Sequence, residues 1–491
     1  MHLNRTARTI HTLLSIFAFT ASLPTPASAD EANDIAELRA EIKVLEVKLS
    51  ALEQKDAQRA QVASAPAATP AASPTAASAP VLSGVPTAVL AKAAFNSTRV
   101  NIDDTGFSFA SADGGTFIKL HGLVQADSRW FASDDGITNN DTFVIRRARL
   151  IFEGGFDKIF SFQIVPEFGG GGTGTSNSPV IYDANLGITV APGVKIVAGK
   201  FKSPIGLEML QNDAVLLFNE RSLATNLVPS RDVGIQITGS PLDGKVTYAA
   251  SVLNGSADAA YTNNTDSDNN KDFVARLFFN PFAESKVGNL GFGIAGSAGL
   301  QNKTGSLASG YKTDGQQTFF TYRSTVLPEG QDWRVSPQAN YYAGPFSAQA
   351  EYTVSAVTAL AGTAKAEIRN NGWQGAVGYV LTGENASYNG YTPKHNFSWQ
   401  DGTWGAWEVG ARVANLKIDS DAFPVFADPG ASAGQATSYG ASLNWFLSKA
   451  IRVSFDLVDT HFDRAPGVKT TSNLLINQDE RAFVTRFQVG F

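Results

Sequence analysis

The end of the chain alternates between apolar and polar residues. Over residues 482–491, Phe483 and Phe487 occupy one set of alternate positions, and Arg486 and Gln488 occupy the other. Successive side chains of a β-strand point to opposite faces, so this pattern predicts a strand with one apolar face and one polar face. The last residue of the chain is again an aromatic residue on the apolar face.

The same alternation recurs throughout residues 106–491. Clear examples are residues 118–130, 148–152, 160–168, 407–413, 439–445 and 451–457. Such strands suit a membrane barrel, in which one face of each strand meets lipid and the other lines a polar lumen. Near strand ends lie Trp130, Trp333, Trp407 and Trp445, as in an aromatic girdle that a soluble two-sheet sandwich would not need. We therefore predict an all-β fold, an antiparallel transmembrane β-barrel of about 16 strands over residues 106–491.

Residues 1–29 have the parts of a secretory signal peptide. Arg5 and Arg8 precede a short apolar run, and residues 27–29 form an A-x-A cleavage site. The apolar run is too short to span a bilayer as a helix, which takes about 20 residues. We therefore predict an exported protein whose mature chain begins at Asp30.

A heptad repeat follows in residues 30–56. Its apolar positions are spaced by three and four, at Ile35, Leu38, Ile42, Leu45, Leu49 and Leu52. This spacing predicts a short periplasmic coiled coil, with a lone amphipathic helix as the alternative. The flanking charges favour parallel association only weakly, and Ile at position a with Leu at position d suggests two helices without settling their number. Residues 57–105 are rich in Ala, Pro and Ser, which predicts a disordered or extended linker.

Composition and charge argue against several classes of function. The formal net charge of −6 argues against a nucleic-acid-binding protein, which usually carries a basic excess. The chain has no cysteine, so it can form neither a disulfide nor a lipid anchor on cysteine. The mature histidines, His121, His395 and His461, show neither metal-ligand spacing nor a catalytic cluster. We therefore expect no enzyme activity, no bound metal and no cofactor.

One acidic run has part of the pattern of a calcium-binding loop. Asp266, Asp268, Asn270 and Asp272 alternate as the ligands of such a loop do. The glycine and the closing glutamate that the loop requires are replaced by lysine and leucine. The run therefore favours a solvated outer loop.

The alternation stops in residues 198–234, which predicts a long segment between two strands. This segment contains G-K-F-K-x-P-x-x-L-E (199–208), E-R-S (220–222) and P-S-R-x-x-G (229–234). Further motifs are F-V-I-R-R-A-R (143–149), G-W (372–373), Y-V-L-T-G-E (379–384), W-G-A-W-E (404–408) and L-N-W (443–445). In these motifs the chain resembles the phosphate-selective porin family, porins O and P, over essentially the whole predicted barrel.

The resemblance implies a homotrimeric outer-membrane porin whose third loop folds into the barrel. It further implies that basic side chains guide small anions, phosphate or polyphosphate among them, because charge-assisted hydrogen bonds replace the lost hydration. The candidate pore-lining and anion-binding residues are Lys119, Arg129, Arg147, Arg149, Lys200, Lys202, Arg221, Arg231, Arg276, Arg334 and Arg412. The terminal Phe491 resembles the signal that the outer-membrane insertion machinery recognises, and the barrel would contact outer-membrane lipid.

The long segment departs from the family pattern in its charge. Between residues 204 and 230 only Arg221 is basic, whereas Glu208, Asp213 and Glu220 are acidic. Acids that faced the lumen would repel anions, so a general or weakly cation-preferring diffusion porin is one alternative. Another is a tether between the outer membrane and the cell wall through the coiled coil, which deletion of the coiled coil would test.

Overall fold

The structure is a computed structural model. It describes residues 98–491 apart from 105, 133–139, 170–178, 261–263, 267, 283–287, 304–306, 308–309, 470–475 and 477–478. The predicted signal peptide, the coiled coil and most of the linker lie outside the described residues, so these stay predictions. Among the described residues, no helix has the length and apolar character needed to cross a bilayer.

Within the described residues, 16 long strands close into one antiparallel barrel, preceded by a hairpin and interrupted by a small two-stranded sheet. The hairpin and the first half of the barrel are β1 (Arg99–Asp103), β2 (Gly106–Ala110), β3 (Phe117–Phe131), β4 (Thr142–Phe156), β5 (Phe160–Glu167), β6 (Val180–Ala191), β7 (Val194–Lys202), β8 (Arg231–Gly239), β9 (Val246–Leu253) and β10 (Asp272–Phe279). The remaining strands are β11 (Asn289–Asn302), β12 (Tyr311–Lys312), β13 (Thr318–Phe320), β14 (Leu327–Ala343), β15 (Phe346–Ala361), β16 (Ala364–Val380), β17 (Ala406–Lys417), β18 (Ala433–Phe446), β19 (Ile451–Arg464) and β20 (Glu480–Gly490). The small sheet is β12 with β13, and β20 pairs with β3 to close the barrel.

The sheet begins earlier than the sequence predicts. β1 lies inside the segment 57–105 that we predict as linker, because Val100 and Ile102 alternate with polar residues and pair with β2. β2 in turn pairs with the beginning of β3, which β20 does not reach. Where β20 ends, Phe491 and Gly122 exchange backbone hydrogen bonds of 3.1 and 2.8 Å. The hairpin therefore continues the sheet past the end of the chain.

The barrel has two different ends, which we call the loop end and the turn end. The loop end carries the third loop, L3 (203–230), the fourth, L4 (254–271), and the fifth, L5 (303–326). The turn end has short connections, such as residues 344–345 between β14 and β15. Outer-membrane barrels place short turns in the periplasm and long loops outside. One connection at the turn end departs from this rule, the return segment (381–405) between β16 and β17.

The two faces of the strands differ as the sequence predicts. In β20, Phe487 is exposed on the outer surface, whereas Arg486 and Gln488 are buried inside the barrel. At the turn end the rings of Trp407 and Trp445 stack with their centroids 5.0 Å apart. An apolar outer wall bounded by aromatic residues is the surface that a lipid bilayer requires. The predicted transmembrane barrel of about 16 strands is therefore confirmed.

Close packing at the turn end depends on a glycine of β8. A Cβ atom on Gly239 would lie 1.7 Å from the carbonyl oxygen of Gly193, between β6 and β7, and a backbone atom cannot yield as a side chain can. We expect Gly239→Ala to lower the free energy of unfolding by about 1–3 kcal/mol, measured by urea unfolding in detergent. The matched control is Gly375→Ala, where a Cβ would meet nothing within 4 Å. Equal losses in both variants would contradict a steric cause.

Candidate functional site

L3 leaves β7 and crosses the inside of the barrel before it returns to β8. It contains a one-turn α-helix, α1 (Leu207–Leu210), and a 3-10 helix (Leu223–Leu227). The 3-10 helix packs against β15, β16 and β17, on the far side of the barrel from β7. Apolar side chains of L3, including Ile205, Leu216 and Phe218, are almost completely buried. The predicted inward fold of the third loop is therefore confirmed.

Glycines in the facing wall make room for L3. A Cβ atom on Gly410 of β17 would lie 2.8 Å from Leu217 Cγ, and one on Gly440 of β18 would lie 2.8 Å from Phe218 Cε1. A glycine inside a strand commonly marks a place where another chain segment approaches closely. These two positions therefore let the loop lie directly against the wall.

The first acidic anchor of L3 is Asp213, which faces the wall. It forms ion pairs with Arg149 of β4, with Arg147 at 3.4 Å and with Arg221 of L3 itself at 2.6 Å. Burial alone would raise the pKa of Asp213, but these three guanidinium groups outweigh it and hold the pKa well below the ordinary carboxyl value. Asp213 is therefore ionised, and its charge is neutralised locally.

Glu220 is the second acidic anchor, and three arginines of the wall surround it. Its Oε1 lies 2.5 Å from Arg146 Nε, 2.9 Å from Arg486 Nη2 and 3.4 Å from Arg129 Nη2. Gln316 of L5 donates to its other oxygen at 3.4 Å. Burial would raise the pKa of Glu220, but Arg146 and Arg486 outweigh it and keep the pKa well below its ordinary value. One carboxylate thus joins β3, β4 and β20 to the loop.

Glu208 is the third acid and is held within the loop. Its Oε2 accepts hydrogen bonds from Ser222 N at 2.8 Å, Ser222 Oγ at 2.7 Å and Thr225 Oγ1 at 3.0 Å. Its Oε1 pairs with Arg412 of β17 at 3.0 Å, and Arg412 also pairs with Asp314 of L5. All three acids whose direction the sequence left open are therefore bound to partners on the wall or in the loop.

Arg146 is a lumen residue that the alternation pattern missed. Strict alternation from Arg147 and Arg149 would place Arg146 on the lipid face. The pairing of β3 with β4 shifts register between Gln125 and Ala126, which forms a bulge opposite these two residues. Both neighbouring arginines therefore enter the lumen and are buried. The Arg-Arg doublet itself was the available signal, because an arginine on the lipid face is costly.

Open space remains between L3 and the wall from β4 to β10. A cavity of about 570 Å³ lies there and is lined by both loop and wall. In it, the guanidinium carbons of Arg149 and Arg231 lie 3.9 and 3.6 Å from the centroid of the Tyr182 ring. Lys202 Nζ donates to loop carbonyls at 2.8 and 3.1 Å. Asp183, 3.4 Å from Arg231, and Asp213 are the acidic residues of this lining.

A second cavity of about 600 Å³ continues toward the turn end. It shares Thr247, Arg276 and Tyr388 with the first cavity, so the two are contiguous. Arg276 Nε donates to Gln338 at 3.1 Å, and the guanidinium lies 4.6 Å from the centroid of the Phe278 ring. Among the described residues, no carboxylate lies within ion-pair distance of Arg276. Its charge is therefore the least neutralised among the arginines of this passage.

The return segment narrows the same passage from the turn end. Tyr388 Oη donates to the carbonyl of Leu207 in L3 at 2.6 Å, and Gln211 of L3 donates to the carbonyl of Tyr388 at 2.9 Å. The return segment therefore extends into the barrel from the turn end and supports L3 from that side. The sequence analysis did not predict this contact, because the composition of residues 381–405 is that of any polar loop.

The other predicted site residues lie apart from this passage. Lys119 is 3.7 Å from Glu153 near the turn end, Lys200 donates to the carbonyl of Ile181 at 2.8 Å, and Arg334 pairs with Asp258 of L4 at 2.7 Å. The structure thus brings Arg129, Arg147, Arg149, Arg221 and Arg412 together around L3, and Lys202, Arg231 and Arg276 along the cavities. The anion-binding role of all of these residues stays a prediction.

A histidine and two acids meet on the exposed surface near the loop end. The potential ligand atoms of Asp459, His461 and Asp479 lie within 4.8 Å of one another. His461 Nδ1 is 2.7 Å from Asp479 Oδ2, and Asp459 pairs with Arg481 at 2.8 Å. The sequence showed no histidine pair with metal-ligand spacing, and this group joins residues from two strand ends instead. It lies outside the passage described above.

A closed barrel with an apolar outer wall, a polar lumen and an inward third loop defines an outer-membrane porin. The family model of the phosphate-selective porin O and P matches residues 118–491 of the chain. The chain therefore belongs to the phosphate-selective porin O and P family. No curated protein matches the sequence.

Several solved structures are similar to this chain. The outer membrane channel DcaP of Acinetobacter baumannii is 13% identical, with 77% of this chain and 98% of that chain covered and a TM-score of 0.49. An anion-selective porin from Comamonas acidovorans is 11% identical, with 77% and 100% covered and a TM-score of 0.47. OmpT of Vibrio cholerae, in a trimer form, is also 11% identical, with 77% and 100% covered and a TM-score of 0.46. The family assignment rests on the match over residues 118–491.

Proposed function

We propose that this porin passes small anions down their concentration gradients, between L3 and the wall from β4 to β10. The observation that carries the proposal is the lining of the two contiguous cavities. Arg149, Lys202, Arg231 and Arg276 line the first, where the acidic residues are Asp183 and Asp213. Basic groups along a narrow lumen attract anions and replace part of their hydration.

The acids of L3 do not oppose this function. Asp213, Glu220 and Glu208 are paired with arginines of the wall and the loop, so each adds little negative potential to the open passage. A cation-preferring channel would need unpaired acids along that passage. The neutralised acids therefore favour the anion channel over the cation-preferring alternative.

Phosphate-like oxyanions are among the permeants that we propose. Planar guanidinium groups can bind two oxygens of such an anion at once, and Arg149 and Arg231 share one cavity. Both arginines already form ion pairs and stack on Tyr182, which leaves fewer donors for a passing anion. We therefore expect weak binding of phosphate and no high specificity for it over chloride.

The assembly that we propose is a homotrimer in outer-membrane lipid, with the N-terminal segment in the periplasm. The heptad of residues 30–56 supports self-association at that side, and the turn end of the barrel is the side where periplasmic connections belong. Recognition of Phe491 by the insertion machinery is part of the same proposal. The tether alternative depends on residues outside the described part of the chain, and it stays a prediction.

The direct test is the reversal potential of the purified full-length protein in a planar bilayer under a KCl gradient. We expect the sign that corresponds to chloride preference, because the passage has more basic than acidic side chains. Added phosphate should reduce the chloride current only partly. A reversal potential of the opposite sign would refute the anion channel, and an absence of any phosphate effect would refute phosphate as a permeant.

A further inference from the structure

Two carboxylates face each other beneath L4, on either side of strand β11. The β11 residue that lies between them is a glycine, so no side chain separates them. Asp272 begins β10, Asp332 lies in β14, and Gly299 lies between them in β11, directly paired with Asp332. A Cβ atom on Gly299 would lie 1.9 Å from Asp272 Oδ1 and 3.0 Å from Asp332 Oδ1. The two oxygens therefore point into the same small gap, which exists because residue 299 is glycine.

Both carboxylates are buried, and both lack a partner at the gap. Asp272 is 3% exposed and Asp332 is 4% exposed. Within the described part of the chain, neither Oδ1 atom accepts a hydrogen bond. The other oxygen of Asp332 lies 3.4 Å from Gln301 Nε2. A buried carboxylate oxygen without a donor or a counter-charge is costly, so this arrangement needs an explanation.

The positive charge near the gap is too small to neutralise the carboxylates around it. Arg334 Nη1 lies 3.9 Å from Asp272 Oδ2 and 3.7 Å from Asp332 Oδ2, which are long distances for an ion pair. The closest partner of Arg334 is Asp258, 2.7 Å from its Nε. One guanidinium group must therefore neutralise three buried carboxylates. The two carboxylates that face the gap lie farther from this guanidinium group than Asp258 does, so they are neutralised less.

We propose that the gap binds a divalent cation, of which Ca²⁺ is the best match, between Asp272 Oδ1 and Asp332 Oδ1. Hard cations prefer carboxylate oxygens, and Ca²⁺ tolerates irregular shells completed by water and amide oxygens. A cation there would supply the missing counter-charge and would join β10 to β14 under L4. With only two protein carboxylates, we expect a dissociation constant on the order of 10⁻⁴ to 10⁻³ M, as in other extracellular sites.

This site differs from the calcium-loop pattern of residues 266–272. The carboxylates of Asp266 and Asp268 accept hydrogen bonds from backbone amides two residues later, at 3.0 and 2.7 Å, so they shape the loop itself. Of that alternating run, Asp272 is the residue that reaches the gap. Its companion, Asp332, lies on a different strand and could not be identified from local spacing.

The test is isothermal titration of the full-length protein in detergent with CaCl₂, after chelator treatment. We expect saturable binding by the wild-type protein and affinity at least about tenfold weaker in Asp272→Asn and in Asp332→Asn. The matched control is Asp421→Asn, an exposed acid at the same end of the barrel, which should bind as the wild type does. Thermal unfolding without calcium checks that each variant is folded.

A second variant tests whether calcium binding requires the open gap as well as the two carboxylate charges. Gly299→Ala keeps both carboxylates but fills the gap with a methyl group, and we expect it to lose calcium binding. The proposal is overturned if the folded wild-type protein binds no Ca²⁺ saturably, or if binding survives in the folded double variant Asp272→Asn/Asp332→Asn. It is also overturned if the pair instead shares a proton, which would appear as no calcium binding together with higher thermal stability of the single asparagine variants.

Discussion

Replacing Arg276 with glutamate is expected to shift the reversal potential of the channel toward cation preference. Arg276 lines both cavities of the passage and lacks a carboxylate partner among the described residues, so its charge acts on passing ions. Two unit charges 4 Å apart in water interact by about 1 kcal/mol, and reversing one charge changes this energy by about 2 kcal/mol. Permeating ions pass Arg276 at a distance greater than about 4 Å, so the change in energy is somewhat smaller. We therefore expect about a tenfold fall in the chloride-to-potassium permeability ratio, which corresponds to about 1.4 kcal/mol.

Ionic strength and a matched variant identify the cause of that shift. The screening length is about 10 Å in 0.1 M salt and about 3 Å in 1 M salt, so the effect of Arg276→Glu should shrink as KCl is raised. Arg369→Glu makes the same charge change on an exposed position of β16, where the partner is Glu367. That control should leave the reversal potential unchanged. Equal shifts from both variants would mean that Arg276 does not line the conducting path.

Much of the barrel could be predicted because the pattern of each strand depends only on the surroundings of its own two faces. The alternation in residues such as Phe487 and Arg486 requires only that one face of a strand meets lipid and the other the lumen. The same rule placed Arg147 and Arg149 inside, and it failed at Arg146, where a bulge changes which side chains point inward. Bulges of this kind respond to the pairing of two strands, so a single strand pattern does not contain them.

The partners of the loop acids could not be predicted, because they are distant in the sequence. Glu220 and Arg486 are 266 residues apart, and the barrel must close before they can meet. The position of L3 was expected only from the family resemblance. Gly410 and Gly440 carried an independent signal, since glycine inside a strand often marks a close approach, and the structure shows L3 at both. The sequence contains no comparable signal that the return segment extends into the barrel.

Replacing Glu220 with glutamine should loosen L3 and destabilise the barrel. The variant keeps the shape of the side chain and removes the counter-charge that Arg146, Arg486 and Arg129 share. Removing one partner of a buried ion pair commonly lowers the free energy of unfolding by about 3–5 kcal/mol, and we expect a loss of that order in urea unfolding. Single-channel recordings should show larger and noisier currents, because L3 loses one of its links to β3, β4 and β20.

The pH dependence of the same variant tests the charge directly. The pKa of Glu220 is held low in the folded protein, so its contribution is fully present above the unfolded value of about 4.3 and is lost as pH falls through the lower folded value. The stability difference between wild type and Glu220→Gln should thus be constant from neutral pH down to about 4.3 and shrink only below it. Glu367→Gln, which breaks an exposed pair with Arg369, should cost only about 0–1 kcal/mol. If Glu220→Gln were no less stable than Glu367→Gln, then L3 would be held by its apolar contacts and the wall glycines rather than by its buried charge.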